Sequence, residues 1–295
     1  LSVARQGIEA IRRYFNELKK SGSTTSRAAR LVLLGAGLAG KTSLQRGLRH
    51  GAPRPSKLDE RTIQLDIHTL PLGGGADQVV LSMWDLAGQP EYAAGLQPYI
   101  VPGSLYLLAV PAQIADDNNY VDVLGRWMDY LQAGAPEAIV QAVLTHCDEL
   151  LPEGAKDKSV GVLEDACAGQ VRWVKDNMRR HQAQLPQGSK KLLIQEQVPC
   201  VCAITGGDSS LAALRSRLET IVLAKPPLLP CIGMAIPRTW ILAMSFLRAL
   251  RDGRDPVLVA TQSSQPEANT DKAVPYVSLA DATQMWIDLI APKLQ

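Results

Sequence analysis

The chain has 295 residues, 46% of them hydrophobic and 20% charged, with a formal net charge of +2. That composition supports one large packed domain or two ordinary ones and excludes disorder as the default. A charge so near zero gives no electrostatic basis for nucleic acid or an anionic membrane as main partner, and apolar runs such as 105–110 are far too short to cross a bilayer.

In chain order, residues 2–19 space Val3, Ile8, Ile11, Tyr14, Phe15 and Leu18 as one face of an amphipathic helix. "SGSTTS" (21–26) reads as a flexible connector. Strands are expected at 30–35, 62–70, 78–86, 104–111, 139–146 and 198–204, and helices at 41–50, near 91–98, and at 119–133, 162–184 and 208–224. "PLGGGAD" (71–77) joins two strands directly, which predicts a hairpin and so one antiparallel edge strand. The remaining alternation of strand and helix predicts a doubly wound α/β domain.

At "KPPLLP" (225–230) three prolines in six residues break the pattern and make a semi-rigid boundary. Pro237 opens a second helical region, with Trp240, Ile241, Met244, Leu247 and Leu250 as an apolar stripe. A polar loop is expected at 261–273. Ser278 then caps a last helix carrying Trp286, Ile287 and Ile290. The chain begins at Leu1, with neither an initiator methionine nor a secretory signal, so a piece of a longer cytoplasmic protein is expected. Its five cysteines lack zinc-site spacing; Cys200 and Cys202 alternate with Val201 and read as reduced core thiols.

The sharpest motif is "GAGLAGKTS" (35–43), directly after an apolar strand and before a helix. Gly35, Gly40, Lys41 and Thr42 form the G-x-x-x-x-G-K-T pattern. Glycines let successive N–H groups turn inward on a β-phosphate, and the following helix adds its positive end. Lys41 bridges β- and γ-phosphate oxygens, and the Thr42 hydroxyl is a ligand for Mg²⁺. "WDLAGQPEY" (84–92) places Asp85 at a strand end within reach of the metal shell. Gly88 there has an N–H for a γ-phosphate, and Gln89 stands where a residue orients attacking water. "LTHCDEL" (144–150) ends the fifth strand, and its Asp148 can accept from guanine N1–H and the exocyclic amine. "CAITGG" (202–207) ends the sixth, where the Ala203 N–H faces guanine O6. Four motifs in this order at carboxyl ends of strands converge on one crevice.

Residues 28–224 resemble a Ras-type GTPase, and within it a Roc domain of the Roco family. "THCD" (145–148) resembles the T-H-x-D variant of Roc domains, and helix 162–184 resembles the Roc insertion. "GIEAIRRYFNEL" (7–18) resembles the segment joining leucine-rich repeats to Roc, and "IPRTW" (236–240) the start of a COR domain. The resemblance implies a six-stranded, mostly parallel sheet with helices on both faces. It divides the chain into an N-terminal helix and linker (1–27), a GTPase domain (28–224), a proline-rich linker (225–235) and a largely helical COR start (236–295). It implies GTP/GDP and Mg²⁺ as ligands and slow hydrolysis. Backbone groups of Ala36, Gly37, Leu38, Ala39, Gly40, Lys41 and Thr42, with Ser43, would cradle phosphate. Thr42, Thr62 and Asp85 would serve the metal, and Gln89, Thr62 and Lys41 catalysis. Thr145, His146, Asp148, Ala203 and Ile204 would hold the base. Thr145 and His146 replace the usual asparagine and lysine; an imidazole lacks the lysine stem that lies along a purine, which implies modest affinity. Homodimerisation through COR is the partner expectation. The rival readings are a scaffold without meaningful hydrolysis and an ATPase of another P-loop branch.

Overall fold

The computed structural model describes residues 12, 13, 15, 16, 19, 20, 22–55, 65–88, 93–204 and 206–240. It divides into two compact units. One is Arg27–Ile232; the other joins Leu1–Ser26 to Gly233–Gln295.

The larger unit opens with β2 (Ala28–Leu34), followed by α1 (Lys41–His50), β3 (Leu65–Leu72), β4 (Val79–Leu86) and the single turn α2 (Ala93–Leu96). Then come β5 (Leu105–Pro111), a π-turn (Val121–Gly125) running into α3 (Arg126–Gly134), and β6 (Ile139–Thr145). The helices α4 (Val160–Ala166) and α5 (Ala168–Ala183), the short β7 (Leu193–Ile194) and α6 (Asp208–Val222) complete it. The six strands lie in the order β3-β4-β2-β5-β6-β7. All neighbours are parallel except β3 and β4, which form the expected hairpin with Leu70 opposite Leu81.

The central strands are uninterrupted apolar runs because both faces are covered: every residue of β5 and β6 is buried. Alternation sorts their side chains between two cores. Val32 and Leu34 of β2 join Trp127, Met128 and Leu131 of α3 and Val174 and Met178 of α5. Leu31 and Leu33 face the other way, onto Leu44 and Leu48 of α1 and Leu211, Leu214 and Leu218 of α6. At about 1.5–3 kcal/mol for each large side chain buried, these two layers are the main source of cohesion. β3 is the edge; only Leu70 and Leu72 of it are buried, and Pro71 sits where a missing N–H is tolerated.

Several elements differ from expectation. The sixth strand is not 198–204: regular pairing occurs at Leu193–Ile194, and a single parallel bridge joins Cys200 to Leu144. Pro199 has no N–H to donate, so it contributes only its carbonyl to Leu144 N, and Val201 N then donates to Leu144 O. The helix expected over 162–184 is two helices that meet at Cys167, whose φ of −99° and ψ of 9° leave the helical region. "KPPLLP" is not a free spacer, since Leu229 is buried in the core with α6.

In the smaller unit, the stretch read as a flexible connector holds β1 (Ser23–Thr25). It pairs antiparallel with β8 (Ala235–Pro237), Thr24 opposite Ile236. Ser26 N donates to Met234 O and Gly233 N to Ser26 O, extending the ladder. Pro237 is thus the end of a strand, and helix follows at 238–240. Most of the helix expected at 2–19, the stripe beyond Trp240 and the last helix lie outside the described residues. Among the described residues no helix is long and apolar enough to cross a membrane.

Candidate functional site

The loop between β2 and α1 curls as its glycines require. Gly35 has φ +143°, and a Cβ there would fall on the Ala109 carbonyl of β5. Gly40, in the left-handed region at φ 77°, is the N-cap of α1 and makes no side-chain cap, which leaves the first N–H groups of that helix aimed into the loop. The Lys41 ammonium lies inside this curl, donating to Gly35 O at 2.9 Å and Ala36 O at 2.8 Å. Lys41 is 7% exposed. Burial lowers its pKa from 10.5 to about 8, against the opposing pull of the Asp85 carboxylate.

Asp85, fully buried near the end of β4, accepts from the Thr42 hydroxyl at 2.6 Å. Two hard oxygen donors from different elements therefore stand side by side, the donor set that suits Mg²⁺. Gly88 passes directly over the loop: a Cβ there would fall on Lys41 Nζ and Gly35 O, so no side chain fits. Lys41, Thr42, Asp85 and Gly88 are thus brought together. Thr62 and Gln89 lie outside the described residues.

The second half of the site is built from the ends of β6 and the bridge strand. Thr145, the last residue of β6, donates its hydroxyl to Ala39 O at 3.0 Å and ties this strand end to the glycine-rich loop before α1. His146 takes a left-handed backbone, φ 55°. Its ring nitrogens face Leu38 O at 3.1 Å and Glu149 Oε1 at 2.9 Å, and Glu149 in turn accepts from Gln113. Asp148 pairs with Lys158 at 3.9 Å, with both side chains mostly covered. Ala203 and Ile204 follow Cys202, whose N–H donates to Ser210 Oγ at 3.1 Å; the same hydroxyl donates to Gly207 O at 2.7 Å and braces the loop. Burial pushes the Cys202 thiol up to about 11, against a hydrogen bond to the Ile204 backbone; Asp148 adds to the rise, which places that carboxylate beside the 202–204 loop.

Lys158 was not singled out from the sequence. It is one of several lysines in a polar stretch, and only the fold brings it to Asp148 and under Gly206, where a Cβ would stand 3.5 Å from its Cδ.

Residues 30–148 match the family model described as "Ras of Complex, Roc, domain of DAPkinase". Over that stretch, about two-fifths of the chain, the sequence is similar to a Roc domain. The match spans the glycine-rich loop 35–43, Asp85, Gly88 and Asp148. Among curated proteins, this chain is similar to human malignant fibrous histiocytoma-amplified sequence 1, at 28% identity over 50% of the chain and 15% of that protein. It is also similar to the Xenopus tropicalis homologue, at 29% identity over 50% of the chain and 14% of the homologue. The chain therefore spans about 15% of the length of the human relative. Among solved structures, Methanosarcina barkeri Roco2 RocCORdC bound to GDP matches with a TM-score of 0.50 and 14% identity, covering 81% of this chain and 62% of that one. At that identity the likeness concerns the fold, and Arg27–Ile232 has the Ras-like arrangement of a mostly parallel six-stranded sheet between helices.

Proposed function

We propose that this chain binds GTP and GDP with Mg²⁺ and hydrolyses GTP slowly, as the switch module of a larger Roco-type cytoplasmic protein. The observation that carries the reading is the meeting of Lys41, Thr42 and Asp85 under Gly88, with Thr42 and Asp85 2.6 Å apart. Lys41 leaves its two loop carbonyls to pair with β- and γ-phosphate oxygens, and the backbone N–H groups from Ala36 to Thr42, with Ser43, cradle the β-phosphate. Thr42 and Asp85, joined by Thr62, would hold Mg²⁺, which would supply charge neutralisation at the phosphate oxygens. The Gly88 N–H takes a γ-phosphate oxygen, and Gln89 orients water for in-line attack. Catalysis is positioning and charge neutralisation without a covalent intermediate.

The base lies between His146, Asp148 and the Ala203–Ile204 loop. Asp148 accepts from N1–H and the exocyclic amine, groups that adenine does not present in that pattern. The GDP in the Roco2 structure supports a guanine nucleotide for this fold. We further place the domain boundaries at 27/28, 224/225 and 235/236, and read the region after 236 as the start of a COR domain through which the whole protein dimerises. Nucleotide competition tests the reading: GTP and GDP displace a fluorescent guanine nucleotide from the chain, and ATP at the same concentration does not. Equal displacement by ATP overturns it. Tight binding with no phosphate release at any protein concentration favours the scaffold reading instead.

A further inference from the structure

Behind the base-binding turn, three cysteines that are distant in sequence meet. Cys147 follows β6, Cys167 is the junction of α4 and α5, and Cys200 is the bridge residue beside Leu144. Their sulfur atoms all lie within 4.8 Å of one another. Cys147 and Cys167 are fully buried and Cys200 is 2% exposed. All three are free thiols, and among the described residues no histidine or carboxylate joins the group. Sequence spacing excludes a zinc site only when ligands come in local pairs; here each sulfur comes from a different element, so spacing is silent.

We propose that Cys147, Cys167 and Cys200 form a buried three-sulfur site for a trivalent thiophilic centre of the arsenic(III) class. Coordination number and charge together select the class. Divalent zinc in a closed protein site takes four ligands, and three thiolates around it leave one negative charge in an apolar interior. A trivalent metalloid takes three ligands and ends neutral. With arsenous acid the exchange balances without any redox partner: As(OH)₃ and three thiols give As(SR)₃ and three waters, each thiol proton leaving with a hydroxide. Cys147 stands between His146 and Asp148, so filling the site pins the base-reading turn to the α4–α5 junction; the site itself does not rest on the nucleotide reading.

The test is titration of the reduced whole chain with arsenite, with no nucleotide present. One arsenic per chain is expected, with a sulfur–arsenic charge-transfer absorption in the ultraviolet. X-ray absorption at the arsenic edge should show three sulfur neighbours and no oxygen. Cys167→Ser should weaken binding at least tenfold, while Cys231→Ser leaves it unchanged. Arsenic that keeps an oxygen neighbour, a stoichiometry well below one, equal loss with Cys231→Ser, or displacement by equimolar zinc each overturns the assignment. Should Cys167→Ser fail to fold, the absorption measurement on the unaltered chain decides alone.

Discussion

The proposed phosphate end and base end of the candidate site are built by different means. At the phosphate end the parts are closely packed: Lys41 is held by two carbonyls, Gly88 leaves no room for a Cβ, and Thr42 bonds directly to a buried carboxylate. At the base end side chains pair with one another, Asp148 with Lys158, both mostly covered, and His146 with the more exposed Glu149. The first arrangement is determined by close packing and admits no graded change. The second is a set of contacts that can be removed one at a time. Loss of binding should therefore follow from changes at the phosphate end, and altered selectivity or tuning from changes at the base end.

The largest effect is expected for Gly88→Ala and Lys41→Ala. The first drives a methyl group onto Lys41 Nζ and Gly35 O; the second leaves phosphate charge unpaired. With charge-assisted hydrogen bonds contributing about 1.5–3 kcal/mol each, Lys41→Ala should weaken GDP at least ~100-fold in a fluorescence titration. Retained affinity in both variants would erase the contrast between the two ends. Next comes Asp148→Asn. An amide donates where the carboxylate only accepts, so preference should move from guanine toward xanthine nucleotides by roughly 100-fold, with phosphate contacts intact. An unchanged guanine preference would remove Asp148 from the base.

A smaller effect is expected from pH. Burial lowers the Lys41 ammonium to about 8, and phosphate oxygens restore its charge on binding. The complex then holds more protons than the free protein above that pH. Affinity is accordingly full below pH 8 and falls above it, by at most about tenfold per unit. Calorimetry at pH 9 in two buffers of different ionisation heat should show proton uptake, and Lys41→Met should abolish it. The smallest effect belongs to Lys158→Ala, a partly covered pair at 3.9 Å, where about a threefold loss of GDP affinity with unchanged guanine selectivity is expected. A hundredfold loss would mean that the base end is as rigid as the phosphate end.

The same contrast governs what could be read from residues alone. The loop from Gly35 to Ser43 was legible because its chemistry demands glycines at fixed offsets next to a strand and a helix. β2, β5 and β6 were legible because doubly covered strands are continuous apolar runs. The run "VPCVCAI" misled for that same reason: it is apolar and buried, yet Pro199 limits it to a bridge, and the regular pairing falls on Leu193–Ile194. The break at Cys167 has no proline to mark it, and Gly169 two residues on falls inside the next helix. The three-cysteine cluster and the Asp148–Lys158 pair exist only in three dimensions, since nothing local relates residues 147, 167 and 200. β1 was hidden because Ser23–Thr25 has no apolar face, and its partner comes only at Ala235–Pro237 in the sequence.

That last pairing has a kinetic meaning. Three residue pairs close a loop of roughly two hundred residues. In an unfolded chain, closing such a loop costs about 5 kcal/mol or more in entropy, which so short a ladder does not recover. The clasp of β1 and β8 therefore forms late, once the intervening residues have folded and the loop is already short in effect. It is also first to open when they come apart. Amide exchange at Thr24, whose N–H lies in the ladder opposite Ile236, is in this sense a timer on the clasp.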